Sequence, residues 1–199
     1  MTPGYSLGVP MLDVPEDRCE RARLFRAIDQ AFKAGDLEGL GRALGDSPGW
    51  ADATMPFEFG LGHPLEYAIY WSPLAFVGEL IAAGSNPNYD DRGGFPALIA
   101  ALATDRPDRL QLLGLLLERG ADPNRRGVND WTPLHYALNR RDLDAARLLL
   151  ANGVDPSLRT RVDGYETALE EAERAGYDAG VALLREAMTK KRGGTADGE

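Results

Sequence analysis

Apolar and polar positions recur along this chain with a long period. A leucine followed three residues later by an alanine occurs at Leu65/Ala68, Leu98/Ala101, Leu134/Ala137 and Leu169/Ala172, at steps of 33, 36 and 35 residues. In the clearest copy Leu134, Ala137 and Leu138 fall at i, i+3 and i+4, the spacing of one helix face. Three copies run into a similar stop: Gly84-Ser85-Asn86-Pro87-Asn88, Gly120-Ala121-Asp122-Pro123-Asn124 and Gly153-Val154-Asp155-Pro156-Ser157. Glycine accepts the left-handed conformation that ends a helix, and proline pushes the residue before it out of helical geometry. A period near 33 residues predicts a helical hairpin plus a turn, stacked on copies of itself. Such stacks work through the surface they present.

The clearest copy runs Asp130-Trp131-Thr132-Pro133-Leu134-His135-Tyr136-Ala137-Leu138, then Asp142 to Leu150, then Gly153. Thr132 is placed to cap the first helix with its hydroxyl, and Pro133 sits at the first helical position, where a missing N–H costs nothing. The other copies drift. From Leu98 to Gly120 is 22 residues, against 19 from Leu65 to Gly84 and from Leu134 to Gly153, which places the extra length in Thr104–Asp108. The last copy lacks the closing glycine and is rich in charge, as an end repeat must be to keep its outer face in water. Aligning Gly35-Asp36-Leu37 with Arg141-Asp142-Leu143 sets Ile28 and Ala31 on Leu134 and Ala137. This predicts a helical pair over 19–34 and 37–44, followed by a Gly/Pro-punctuated connection over 46–61.

The Thr132-Pro133-Leu134-His135-Tyr136-Ala137 stretch, the Leu-rich second helix and the Gly-Ala-Asp-Pro-Asn stop resemble the ankyrin repeat, with its T-P-L-H-x-A and G-A-D-x-N signatures. The resemblance covers 62–188 and, in degenerate form, 20–61. It implies an all-α ankyrin-repeat solenoid of helix-turn-helix units with β-hairpin-like loops, about four repeats plus a degenerate N-terminal helical cap. It also implies a non-enzymatic scaffold or adaptor that recognises a protein through its concave groove and hairpin tips. The tip positions before each Thr-Pro pair are Gly62, Phe95, Trp131 and Glu166; the concave helix ends carry Tyr70 and Trp71, Ala103 and Thr104, Asn139 and Arg140, and Arg174 and Ala175. From these, Tyr70, Trp71, Phe95, Trp131, Asn139, Arg140 and Glu166 are the expected protein-binding residues. Aromatics beside arginine dominate interface energetics, at roughly 2 kcal/mol or more for each buried anchor. The same aromatics could instead pack bends and neighbouring hairpins; the sequence leaves both open. The resemblance makes His135 a tie to the backbone of the next repeat. Arg125, Arg126, Arg159 and Arg161 are placed either to lock hairpins through Asp130 and Asp163 or to meet a partner. Arg126–Asp130 replaces the family's usual Asp-x-x-Gly turn.

Composition narrows the rest. The expected organisation is a mobile segment over 1–19, the cap and connection over 20–61, the repeats over 62–188 and a disordered tail over 189–199. No apolar run reaches the length of a membrane span, and the first residues lack a basic stretch followed by an apolar core. The single cysteine, Cys19, allows no internal disulfide and fits a reducing compartment, so the cytoplasm is expected. Nineteen Arg against three Lys suggest a GC-rich bacterial genome. Between Gly35 and Asp91 nine acids against Arg42 alone leave a net charge of −8, whereas Asp105 to Arg161 is near balance. This acidic front argues against nucleic acid and anionic membrane as partners and favours a basic protein, unless it serves solubility alone. His63 and His135 are the only histidines and neither has a second ligand at helical spacing; Cys19 has no neighbouring base. No catalytic residue, metal site or cofactor is therefore expected. Capped ends make a monomer the default. Two alternatives remain, an immunity-type inhibitor of a basic toxin enzyme and a regulatory subunit of a separate enzyme.

Overall fold

The protein is described from a computed structural model, which covers residues 15–46, 49–52, 55, 62–89, 94–162 and 164–193. The expected mobile segment before residue 15, most of the 46–61 connection, Asp163 and the tail beyond Gly193 lie outside the described residues. Among the described residues the regular elements are ten α-helices and short 3-10 turns, with no strand. The chain divides into two units, Met1–Arg92 and Gly93–Glu199.

The first unit contains α1 (Arg18–Ala34), α2 (Leu37–Ala43), α3 (Pro64–Trp71) and α4 (Leu74–Ala82). Helices α1 and α3 pack side by side, as do α2 and α4, so two helical hairpins lie one on the other. The degenerate pair is real: Asp17 caps α1 by accepting from the Glu20 N–H, and Asp36 caps α2 by accepting from the Gly39 N–H. Ile28, Ala31 and Leu40 are buried, in keeping with their alignment on the clearest repeat. Gly35, which closes α1, has φ of 69°, and its aligned counterpart Arg141 has φ of 56°. The two turns share one left-handed geometry even though one carries a side chain.

The second unit contains α5 (Ala97–Ala103), α6 (Arg109–Glu118), α7 (Pro133–Asn139), α8 (Leu143–Ala151), α9 (Ala168–Arg174) and α10 (Asp178–Gly193). Helix α7 packs between α5 and α9, and α8 between α6 and α10. This gives one layer of first helices and one of second helices. The core is lined by the repeated apolar positions: Leu98, Ala101, Leu134, Ala137 and Ala172 are buried, while Leu169 in the last copy is only partly so. The extra residues of the second repeat lie between α5 and α6, where Arg106 binds Asp108 through two nitrogens, at 2.8 and 2.7 Å.

Two expectations are corrected. Thr132 makes no side-chain cap to α7; its hydroxyl is held instead by His135 Nδ1 at 2.8 Å. The hydroxyl cap is found one repeat later, where Thr167 and Glu170 form a reciprocal capping box on α9. The expected tail beginning at 189 is helical as far as Gly193. Thr189 donates to the Arg185 carbonyl and Lys190 to Glu186, and a basic helix end is favoured by the helix dipole.

Candidate protein-binding surface

In the first unit the expected contact residues sit at the end of α3. Trp71 is 59% exposed, Tyr70 is half-buried, and Trp71 leans on Tyr67, whose ring centroid is 6.4 Å away. Lys33, from α1, places its ammonium 5.9 Å from the Trp71 ring centroid. Lys33 also pairs with Asp29 at 2.8 Å, and Tyr67 donates to the same carboxylate. Asp29 is held below the usual carboxylate range by these bonds, Lys33 first and Tyr67 second. Burial and the Asp29 carboxylate push the Tyr67 phenol up. An anchored, mostly exposed indole thus stands on a frame that is already satisfied.

The base of this unit is fixed by His63, which the sequence marked only as lacking a second ligand at helical spacing. Its Nδ1 accepts the Leu65 N–H at 3.2 Å, capping α3 at the position where α7 and α9 carry Thr132 and Thr167. The proton therefore resides on Nε2, which donates to Asp52 at 2.9 Å. The same Asp52 oxygen accepts the Asn86 N–H at 2.7 Å, and the imidazole stacks on Tyr89 with centroids 4.4 Å apart. Three separated segments meet on one neutral ring. Burial pulls the His63 pKa below its ordinary 6.5, against the opposing pull of Asp52. Burial does the same to His135.

Both shifts have one sign. The unfolded chain takes up protons near pH 6.5 before the folded imidazoles do. Stability is then complete above that value and falls as pH drops through it toward the folded values. The urea midpoint is expected to fall between pH 7.5 and 5, before most carboxylates titrate, and His63→Thr should reduce that fall. A midpoint unchanged over this range in the unsubstituted chain would refute the assignment.

In the second unit the hairpins are bound to one another. His135 Nε2 donates to the Glu166 carbonyl at 3.2 Å, giving the tie to the next repeat that the resemblance implies. Asp130 accepts from Arg126 at 2.7 Å and from the backbone N–H of Arg161 at 2.7 Å. The Arg161 guanidinium binds both oxygens of the same carboxylate, the closest contact being 2.6 Å. Hydrogen bonds from Arg161, with both arginine charges, keep the Asp130 carboxyl below its ordinary range. The expected lock through Asp130 is thus present.

The same network accounts for the departure from the usual turn. Counting two residues back from the residues that precede helices α5, α7 and α9 gives Gly94, Asp130 and Tyr165, with φ of 78°, 60° and 53°. The backbone at this position is left-handed in all three turns. A side chain there costs roughly 1–3 kcal/mol unless the surroundings offset it. Asp130 has an offset, because only a carboxylate at that place can hold Arg126 and Arg161 together. Tyr165 has less. Its ring lies 5.6 Å from the Arg159 guanidinium, a contact worth about 0.5–1 kcal/mol at an exposed site, and it remains 65% exposed.

The expected second-unit contacts do not share one fate. Phe95 and Trp131 are half-buried, with the Trp131 ring 6.1 Å from Tyr136 and nearly edge-on. Asn139 and Arg140 are exposed, and Arg140 reaches Asp105 at 3.3 Å. Glu166 is already held by Arg174 at 2.9 Å. Two surface residues escaped the sequence reading altogether, Val162 at 72% exposure and Tyr165. A signal existed for Tyr165: it occupies the register position that Gly94 fills two repeats earlier.

Among the described residues no group of three or more His, Cys, Asp or Glu is placed to hold a metal ion, and no helix is long and apolar enough to cross a membrane. Cys19 is exposed. The family model for ankyrin repeats matches residues 65–160 and 97–192. Over 127 residues the chain is 31% identical to the ankyrin repeat and KH domain-containing protein mask-1 of Caenorhabditis elegans, covering 63% of this chain and 5% of that protein. It is 36% identical over 102 residues to glycerophosphocholine phosphodiesterase gde1 of Schizosaccharomyces pombe, covering 51% of this chain and 8% of the other. It is 26% identical over 145 residues to palmitoyltransferase Hip14 of Drosophila melanogaster, covering 72% of this chain and 22% of the other. The chain thus spans less than a quarter of the length of each of these relatives, whose names describe much larger proteins. Ankyrin repeats in general mediate protein–protein interaction and are not themselves catalytic. The repeated helical hairpins, the tie from His135 to the next repeat and the match of the family model together place this chain in the ankyrin-repeat family.

Proposed function

We propose that this chain is a non-enzymatic recognition module that binds a protein partner through two patches, one on each unit. The first is the end of α3, with Tyr70 and Trp71; the second comprises Phe95, Trp131, Asn139, Arg140 and the turn before α9. The observation that carries the reading is the Trp71 indole, 59% exposed on a frame of internally paired charges. An indole left in water at a helix end gains apolar burial only when a partner covers it. The acidic run over 35–91 supports a basic partner for the first unit, which would speed encounter at low salt. It also supports, as a second reading, an immunity-type inhibitor of a basic enzyme. Cysteine usage and arginine bias favour a cytoplasmic bacterial protein, and we take the working form to be a monomer.

The test is affinity capture from a lysate of the source cells with the full chain and with a Trp71→Ala/Trp131→Ala double variant, followed by mass spectrometry. Proteins held by the unsubstituted chain are expected to drop at least ten-fold on the variant. An identical set on both would remove these aromatics from the function.

A further inference from the structure

Trp71 already has a cation beside it. The Lys33 ammonium stands 5.9 Å from the indole centroid, near the outer limit at which a cation is drawn to a ring face. What holds it there is Asp29, one turn back along α1, whose two oxygens it meets at 2.8 and 2.9 Å. The ring itself is only lightly engaged. The contacts of Asp29 and Phe32 with Tyr67, and of Lys33 with Trp71, set α1 and α3 parallel, so both helices end at this spot. A helix end carries partial negative charge on its last carbonyls, and the last turn of α3 has no basic residue to meet it. Asp36 adds a carboxylate just past the end of α1. The next cation on α1, Arg26, lies two turns back, about 10 Å along the helix axis. Of the other described cations of this unit, Arg18, Arg21 and Arg23 are further back still, and Arg42 is at the far end of α2. With Lys33 matched by Asp29, the charge left around the indole is negative.

We propose that the exposed Trp71 indole seats an arginine side chain of the protein partner, which displaces Lys33 and takes its place between the ring and Asp29. A planar guanidinium stacks on an aromatic face and meets a carboxylate with two nitrogens at once, which an ammonium cannot do. The ammonium is also the more strongly hydrated of the two, so Lys33 returns to water at little cost. An acidic side chain on the partner would face Asp36 and two negative helix ends, with Lys33 already matched. An apolar one would leave the charge of the site unanswered. The inference rests on the protein-binding reading above and deepens it: the basic partner becomes one arginine at one seat, with Lys33 as a built-in competitor.

The probe is the peptide acetyl-Gly-Gly-Arg-Gly-Gly-amide, with a twin that carries citrulline, the neutral isostere of arginine. Titration of the full chain is followed through the indole N–H signals in a proton–nitrogen correlation spectrum, the Trp71 signal being identified by its loss in Trp71→Phe. A saturable shift of that signal is expected with the arginine peptide and none with its twin. Lys33→Met and Lys33→Gln should each tighten the binding about three-fold, the scale of one cation on an exposed ring. Arg42→Met removes a charge at the far end of α2 and should change it by less than about two-fold at roughly 0.15 M salt, where distant charges are screened. No saturable shift at Trp71, or an equal shift with citrulline, would overturn the seat. So would a failure of both Lys33 variants to tighten binding, or equal tightening by Arg42→Met. The protein-binding reading is judged separately by the lysate capture: if proteins are captured through Trp71 while the titrations fail, the arginine seat alone falls.

Discussion

Phe32→Ala is expected to destabilise the first unit by about 3–5 kcal/mol, the range for removing a large aromatic from a core. Phe32 is fully buried, and its ring meets Tyr67 at 4.8 Å and Phe76 at 5.9 Å. Those rings come from α3 and α4, so one side chain from the degenerate helical pair is packed into the core of the first recognisable repeat. The loss has two sources. Apolar surface is returned to water, and a void is left that rigid helices cannot close. The readout is urea unfolding followed by circular dichroism, with hydrogen exchange to show that protection falls in 18–89. The exposed neighbour Gln30→Ala should change stability by less than about 0.5 kcal/mol. A loss below about 1 kcal/mol for Phe32→Ala would mean that the cap is not part of the folded core.

The second large effect is expected at His135. Its ring is buried, with Nδ1 accepting from the Thr132 hydroxyl at 2.8 Å and Nε2 donating to the Glu166 carbonyl at 3.2 Å. His135→Leu keeps the volume and apolar contact but leaves the buried Thr132 hydroxyl without its partner, while the Glu166 carbonyl keeps the Thr160 N–H. A buried group left without a partner costs roughly 1–3 kcal/mol, and a loss of about that size is expected. His135→Gln offers a donor and an acceptor on a flexible stem and should recover part of the loss. The comparison separates hydrogen bonding from packing. Equal stability of the two variants would show that the ring matters for its shape alone.

Repeat architecture was legible in the residues because it is written in local terms. Leucine and alanine at i and i+3, glycine at the left-handed stop and proline at the first helical position each state a backbone requirement within a few residues. Even the degenerate pair could be aligned, since Gly35-Asp36-Leu37 and Arg141-Asp142-Leu143 solve the same turn. A local rule misled at Thr132: read as a helix cap, its hydroxyl instead meets His135, whose imidazole is fixed from its far side by the Glu166 carbonyl, 31 residues away.

The surface was harder to read for a related reason. Whether an aromatic is a contact or a packing residue depends on what covers it, and covering is done by residues distant in sequence. Trp71 is left open and Trp131 half-covered, although both were expected contacts. Glu166, expected at a free tip, is held by Arg174 from the end of the following helix. Tyr165 was passed over because the family pattern directs attention to the residue before each Thr-Pro pair, here Glu166, and not to the left-handed position just behind it.

The amino-acid order by itself determined the helical hairpins, their stops and their number, since each depends on intrinsic backbone preference and on apolar spacing along one element. Tertiary structure alone decided that His63 became an internal strut, that the Thr132 hydroxyl went to His135, and which apolar side chains stayed in water. A hydrogen bond or a covered ring needs two groups within a few ångströms, and only the packing of one hairpin on the next brings together residues some thirty positions apart.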